Sequence, residues 1–196
     1  IYSPKSSKLR FVYRGNQLVT ISSFVFIRFI KFVRSLKEPL FNLQKYEMLS
    51  LNLPIFDTKI VSRNGKNVIF DVIRKRYVAL TPEEWVRQHF VHFLINYKEY
   101  PSALMANEVL LNLNGTKKRC DTVLYRRDLT ARMIIEYKAP HINITQAVFD
   151  QITRYNLVLR VDYLIVSNGM HHYCCKMDYN NQCYTFLDDI PDYKVL

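Results

Sequence analysis

From Met48 onward the apolar positions recur with two different periods, and the changes of period mark out the elements. Leu51-Asn52-Leu53-Pro54 is an extended opening. Lys59-Ile60-Val61 and Val68-Ile69-Phe70-Asp71-Val72 flank Arg63-Asn64-Gly65-Lys66, and Asn-Gly between apolar runs predicts a hairpin. Thr81-Pro82-Glu83-Glu84 then opens a helix. Thr81 suits the N-cap, Pro82 the first helical position, and Glu84 lies three residues after the cap. Trp85, Val86, His89, Phe90, Phe93 and Leu94 give that helix an apolar face to about residue 97. Extended segments follow at 103–112, 119–125 and 132–137, punctuated by Asn114-Gly115 and Arg127-Asp128. A second helix is expected from about 145 to 159, then a strand at 163–166. Asn168-Gly169 turns the chain into 171–177, and 178–181 turn it again into 182–187. Helix, three-strand meander, helix and strand predict an α/β fold: a mixed sheet flanked by helices, with an N-terminal hairpin and C-terminal strands.

Residues 1–47 break this order. Lys5, Lys8, Arg10 and Arg14 precede an apolar run at 18–27, followed by Arg28, Lys31 and Arg34. The run is too short to span a bilayer as a helix, and no small-x-small cleavage site follows it. A basic amphipathic surface helix is one reading. The simpler one makes Met48 the natural start and residues 1–47 an extension with no selected fold. The domain is then 48–196.

Composition narrows the function. With 14 Tyr, 12 Phe and 49% hydrophobic residues the chain can bury a core. Only 4 glycines occur, and neither GxGxxG nor GxxxxGK[ST], so dinucleotide and P-loop readings have no support. The net charge of +11 suggests a polyanionic partner. Its distribution weakens that inference. Residues 1–47 hold nine Lys or Arg against two acids, a net of +7, and residues 48–196 hold nineteen against fifteen, a net of +4. Cys120, Cys174, Cys175 and Cys183 make no disulfide framework, and reduced thiols in a cytoplasmic protein are the expectation. Cys174 and Cys175 with His171 and His172 match no zinc-ligand spacing.

The chemistry concentrates in Arg119-Cys120-Asp121 and Ile134-Ile135-Glu136-Tyr137-Lys138. Residues two apart in a strand share a face, so Glu136 and Lys138 point one way and Tyr137 the other. A hairpin symmetric about Asp128 and Leu129 sets Asp121 directly opposite Glu136. Like charges so placed repel unless neutralised by a proton, by Lys138 or by a divalent cation. Two converging carboxylates suit Mg²⁺ or Mn²⁺, which keep waters and accept phosphate oxygen. Glu136 also ends an apolar run that reads as a buried strand. On the following helix Gln151 and Tyr155 lie four apart and share a face.

Gln-x-x-x-Tyr after an ExK strand resembles the RecB-like nucleases, and residues 80–173 resemble the PD-(D/E)xK nuclease superfamily. More narrowly, Thr81-Pro82-Glu83-Glu84-Trp85-Val86-Arg87-Gln88, Arg119-Cys120-Asp121, Glu136-Tyr137-Lys138-Ala139-Pro140, Gln151-Ile152-Thr153-Arg154-Tyr155-Asn156 and Ser167-Asn168-Gly169 resemble the N-terminal nuclease domain of type I restriction enzyme R subunits. The resemblance runs from Leu51 to the C-terminus. It implies a restriction-endonuclease-like core and metal-dependent DNA cleavage, endonucleolytic rather than exonucleolytic, with DNA as partner and no membrane. Asp121, Glu136 and the Tyr137 carbonyl would then hold Mg²⁺ or Mn²⁺, Lys138 would be the catalytic lysine, and Gln151 and Tyr155 would support the metal or a DNA phosphate. Glu84 matches an acidic position that ligates metal in some members, and it equally suits a capping box. Arg119, Arg126, Arg127, Arg154 and Arg160 are candidates to track a DNA backbone, with Arg119 and Arg154 foremost; Glu108 and His141 read as a surface charge and a loop histidine. The chain has no motor motif, so the resemblance implies action alone or beside a separate motor or specificity subunit. A non-catalytic nucleic-acid-binding module with the same fold is the alternative.

Overall fold

A computed structural model describes residues 10–14, 17–21, 50–113 and 115–196 of the chain, which forms two compact units, Ile1–Ser50 and Leu51–Leu196. In the first unit, strands β1 (Arg10–Arg14) and β2 (Gln17–Ile21) pair antiparallel. The start of the apolar run at 18–27 is therefore strand where one reading made it helix. Residues 22–27 and Met48 lie outside the described residues.

The second unit begins with the expected hairpin, β3 (Ile60–Arg63) and β4 (Lys66–Asp71). Asn64 and Gly65 have φ of 52° and 72°. Two consecutive positive φ values make the turn whose twist matches that of the strands it joins. The sequence did not signal the third strand, β5 (Arg76–Ala79), which pairs with β4. At four residues it is too short to display a period. Its turn is set by Asp71, whose Oδ1 accepts the N–H groups of Ile73 and Arg74, both at 2.8 Å.

Helix α1 (Pro82–Tyr97) starts where the cap predicts, with Thr81 Oγ1 accepting the Glu84 N–H at 3.0 Å. Strands β6 (Met105–Leu113), β7 (Thr116–Tyr125) and β8 (Ala131–Tyr137) form the meander, and α2 (Gln146–Leu159) crosses over to β9 (Tyr163–Ser167). β10 (His172–Asp178) and β11 (Cys183–Leu187) complete a six-stranded sheet ordered β11-β10-β9-β8-β7-β6. Only β8 and β9 run parallel, because α2 separates them and returns the chain to the same end. The predicted mixed sheet flanked by helices is the observed architecture.

Strand alternation sends successive side chains of β8 to opposite helices. Met133, Ile135 and Tyr137 pack with Val86, Phe90 and Leu94 of α1. Ile134 packs with Val148, Ile152 and Tyr155 of α2. All five residues of β9 are buried, as a strand covered on both faces requires. Cys174 lies in the α1-side core and Cys175 in the α2-side core, so the pair cannot hold one ion. Gly169 makes the predicted turn at φ 81°, and a Cβ there would meet Leu51 Cδ2 at 2.7 Å. No described helix is long and apolar enough to cross a membrane.

Candidate active site

The site forms where β7 and β8 part. Their ladder runs through Thr122↔Ile135, Val123↔Ile134 and Leu124↔Met133, the register expected from the sequence, and it ends one position short of Asp121 and Glu136. The hairpin is not symmetric about Asp128 and Leu129, however. A shift between Leu124 and Tyr125 pairs Tyr125 with Ala131. The cause lies in the loop: Asp128 Oδ1 accepts the Thr130 N–H at 3.0 Å and Leu129 adopts φ 65°, which takes up an extra residue. At the other end, Asp121 Oδ2 accepts the Tyr137 N–H at 2.8 Å. A carboxylate thus engages the main chain where the paired register stops.

Glu136 shares a strand face with Ile134 and is 3% exposed. Its Oε1 accepts Lys138 Nζ at 2.8 Å and Gln151 Nε2 at 2.6 Å. Lys138 Nζ also donates to Gln151 Oε1 at 3.3 Å, and Gln151 Nε2 donates to the Tyr155 hydroxyl at 3.3 Å. The structure therefore brings Glu136, Lys138, Gln151 and Tyr155 into one hydrogen-bonded group. Tyr155 reaches it because its helix face packs on β8. Glu136 Oε2 is buried and has no partner among the described residues. Burial, then the nearby Asp121 charge, push the Glu136 carboxyl up to about 7, with Lys138 pulling the other way. Burial also raises Asp121, against Arg87 and the Tyr137 N–H. Lys138 is held protonated by Glu136 and Asp121 despite its burial.

The organising residue on the other side is Arg87, which the sequence did not single out. It is 3% exposed and binds Glu108 at 2.6 Å, Asp121 Oδ1 at 2.8 Å and Glu84 at 2.9 Å. Its only sequence signal is spacing, three and four residues after Glu84 and Glu83, which reads equally as a surface pair. Glu84 is tied to Arg74 at 2.8 Å, to Arg87 and to Gln88 Nε2 at 2.8 Å. The carboxylate is thus a counter-ion for two arginines, and it meets Asp121 through Arg87. Glu108 is not a free surface charge, since it joins Arg87 to Arg119 at 2.7 Å.

The remaining predicted cations divide. Arg119 is exposed but engaged by Glu108. Arg126 pairs with Asp162, and Arg160 stacks 4.8 Å over the Tyr179 ring. Arg127 and His141 are exposed, and Arg154 is exposed on α2. Among the described residues no cluster of three or more His, Cys, Asp or Glu forms a metal cage. The donor set at the strand ends is two carboxylates with one orphaned buried oxygen. That fits a hard divalent cation, which uses one or two carboxylates together with waters and a phosphate.

Residues 82–191, more than half of the chain, match the family described as type I restriction enzyme R protein N terminus. Among solved structures, a fragment of a putative HsdR subunit of a type I restriction enzyme from Vibrio vulnificus YJ016 is similar at 21% identity and a TM-score of 0.41. The match covers 57% of this chain and 24% of that one, so the chain spans about a quarter of its length. No curated protein matches the chain.

Proposed function

Because the chain belongs to the type I restriction enzyme R protein N-terminal family, a restriction-enzyme nuclease-like domain, we propose that it is a divalent-metal-dependent DNA nuclease centred on Asp121, Glu136 and Lys138. The observation that carries this reading is the buried Glu136 carboxylate. One oxygen is held by Lys138 and Gln151, the other has no partner, and Asp121 bears on it electrostatically. Among the described residues four other buried side-chain atoms also lack a hydrogen-bond partner, but this oxygen belongs to a carboxylate beside Asp121 and Lys138, where a divalent cation would satisfy it. Asp121 and Glu136, with the Tyr137 carbonyl, would hold Mg²⁺ or Mn²⁺. When bound, the ion supplies Lewis-acid activation of water and of the phosphate.

The chain's own residues do the rest. Lys138, kept protonated, orients the attacking oxygen or offsets charge on the phosphate. Gln151 fixes the Glu136 carboxylate and the lysine with a single amide, and Tyr155 supports that amide. Arg87 and the Tyr137 N–H each hold one oxygen of Asp121, so the carboxylate keeps one orientation. The chain would cut internally, alone or beside a separate motor or specificity subunit.

Cleavage of plasmid and single-stranded DNA with Mg²⁺ or Mn²⁺ tests the reading against Lys138→Ala and Asp121→Ala. Each substitution is expected to lower the rate on the order of a thousandfold. Cleavage that survives both overturns the assignment. One observation favours a second reading, a non-catalytic nucleic-acid-binding module: both Asp121 oxygens are already engaged. DNA binding without any cleavage is its signature.

A further inference from the structure

Beside the catalytic group lies a cavity of about 320 Å³ lined by Lys118, Ala147, Gln151, Arg154 and Tyr155. Four of these come from one stripe of α2, at spacings of four, seven and eight residues from Ala147. Lys118 comes from β7, where its position pairs with Leu111 of β6. Ala147 carries the smallest side chain of the stripe, which leaves room between helix and strand. No carboxylate lines the cavity.

Arg74, Arg87, Arg119, Arg126 and Arg132 all have carboxylate partners. The side chains of Lys118 and Arg154 have neither an ion pair nor a hydrogen bond with any described residue. Exposed cations such as Lys117, Arg127 and Lys176 also lack a carboxylate partner among the described residues, so what marks this place is two such cations on one cavity. Two unneutralised cations face one concave space, and its wall adds an amide and a phenol. The Tyr155 hydroxyl accepts from Gln151 and so keeps its own proton for another acceptor. Gln151 lines the cavity and also bonds Glu136 at 2.6 Å, so one side chain separates the cavity from the catalytic carboxylate.

We propose that this cavity is a phosphate subsite for a nucleic-acid strand, in which Lys118 and Arg154 clamp a backbone phosphate adjacent to the one at Glu136. The assignment rests on the nuclease reading for the word adjacent. Its own basis is the cation pair without counter-ions, the Tyr155 hydroxyl proton between them and the absence of any acid in the lining. Ala147 and the Tyr155 ring give the sugar an apolar wall. The volume falls at the small end of ligand pockets, roughly 300–1,000 Å³, as suits one nucleotide unit rather than a duplex groove.

The test is binding of a fluorescein-labelled DNA oligonucleotide to the whole chain in chelator, where no cleavage occurs, across a series of salt concentrations. Lys118→Ala and Arg154→Ala are each expected to weaken binding several-fold and to flatten the salt dependence by about one counter-ion. Lys118→Arg and Arg154→Lys are expected to restore both. Lys176→Ala, an exposed cation on β10, controls for loss of charge in general. A neutral methylphosphonate walked along the oligonucleotide should weaken binding to the native chain at one position and leave the Lys118→Ala/Arg154→Ala variant insensitive there. Native-like affinity of the double variant, or a methylphosphonate penalty that persists in it, overturns the proposal. Inorganic phosphate is the second probe: binding of it that depends on the pair, with DNA binding that does not, assigns the cavity to a free anion and also overturns it. DNA binding that depends on the pair without cleavage sinks the nuclease reading and leaves the subsite standing. Cleavage with an indifferent pair does the reverse, and a native chain that binds no DNA sinks both.

Discussion

Helix α1 carries Glu84, Arg87 and Gln88 into the interior, while α2 turns Ala147, Gln151 and Arg154 along a cavity. On the α1 side charge is met by charge: one guanidinium joins Glu84, Glu108 and Asp121, and Arg74 joins Asp71 to Glu84. On the α2 side, among the described residues, Glu136 Oε2 has no partner and neither Lys118 nor Arg154 has a counter-ion. Burying ions costs several kcal/mol each, so the α1 network is weak evidence for stability. Its effect is geometric, since it fixes the orientation of Asp121. One face of the sheet thus pairs its charges internally, although Arg87 Nε, Gln88 Oε1 and the Tyr137 hydroxyl there lack a partner among the described residues, and the other leaves charged groups for something that binds.

The sharpest way to break the comparison is to remove the α1 hub. Arg87→Met leaves the buried Glu84 and the half-buried Glu108 and Asp121 without their shared cation, and unfolding in urea should show a loss of about 3 kcal/mol at neutral pH. The loss should shrink in acid as those carboxyls take up protons. An unchanged urea midpoint contradicts the charge-pairing account of this face.

Glu136 gives the next effect, with the opposite origin. Its carboxyl is pushed up to about 7, above its ordinary 4.5. Between those values the native state keeps a proton that the unfolded chain releases, so the metal-free protein loses stability as pH rises through that window. The loss is on the order of 3 kcal/mol. Glu136→Gln should flatten the profile, and a native chain whose stability does not fall between pH 4.5 and 7 refutes the cause given for it.

Gln151→Ala separates the faces directly. Removing an amide that supports the site should lower cleavage or metal affinity about 10–100-fold while moving the urea midpoint little. A large stability loss with intact cleavage reverses the roles assigned to the two sides. Gly169→Ala acts where Leu51 and Val86 close over the turn. It combines a positive φ with a 2.7 Å contact to a side-chain end that can shift, and thermal unfolding should show a loss of about 1–2 kcal/mol. Thr81→Ala removes one cap bond at the start of α1, for about 1 kcal/mol, with cleavage retained.

Much of this was legible in the chain. Asn64-Gly65, Thr81-Pro82, the apolar runs of β8 and β9, and the Gln151–Tyr155 spacing are local signals, decided by φ preferences, caps and side-chain period. The register between Thr122 and Leu124 followed from counting alone, and the shift at Tyr125 did not, because it depends on how Asp128 and Thr130 bond across the loop. Strand β5 gave too few residues to show a period. Glu84 was ambiguous between a cap and a ligand, since both use an acid at that position, and its tie to Arg74 comes from a residue the helix pattern cannot place.

The sequence by itself determined the elements of the second unit other than β5, the alternation that sends Glu136 and Tyr137 to opposite faces, and the side of α2 that carries Gln151. Those depend on neighbours within a turn or along one strand. Only the tertiary structure decided which charges are paired. Nothing in Lys117-Lys118-Arg119 distinguishes the cation engaged by Glu108 from the one facing the cavity. Nothing in a lone helical arginine shows that Glu108 and Asp121 will converge on it. Pairing is a long-range property, fixed by which strands lie side by side and how a buried charge is compensated there.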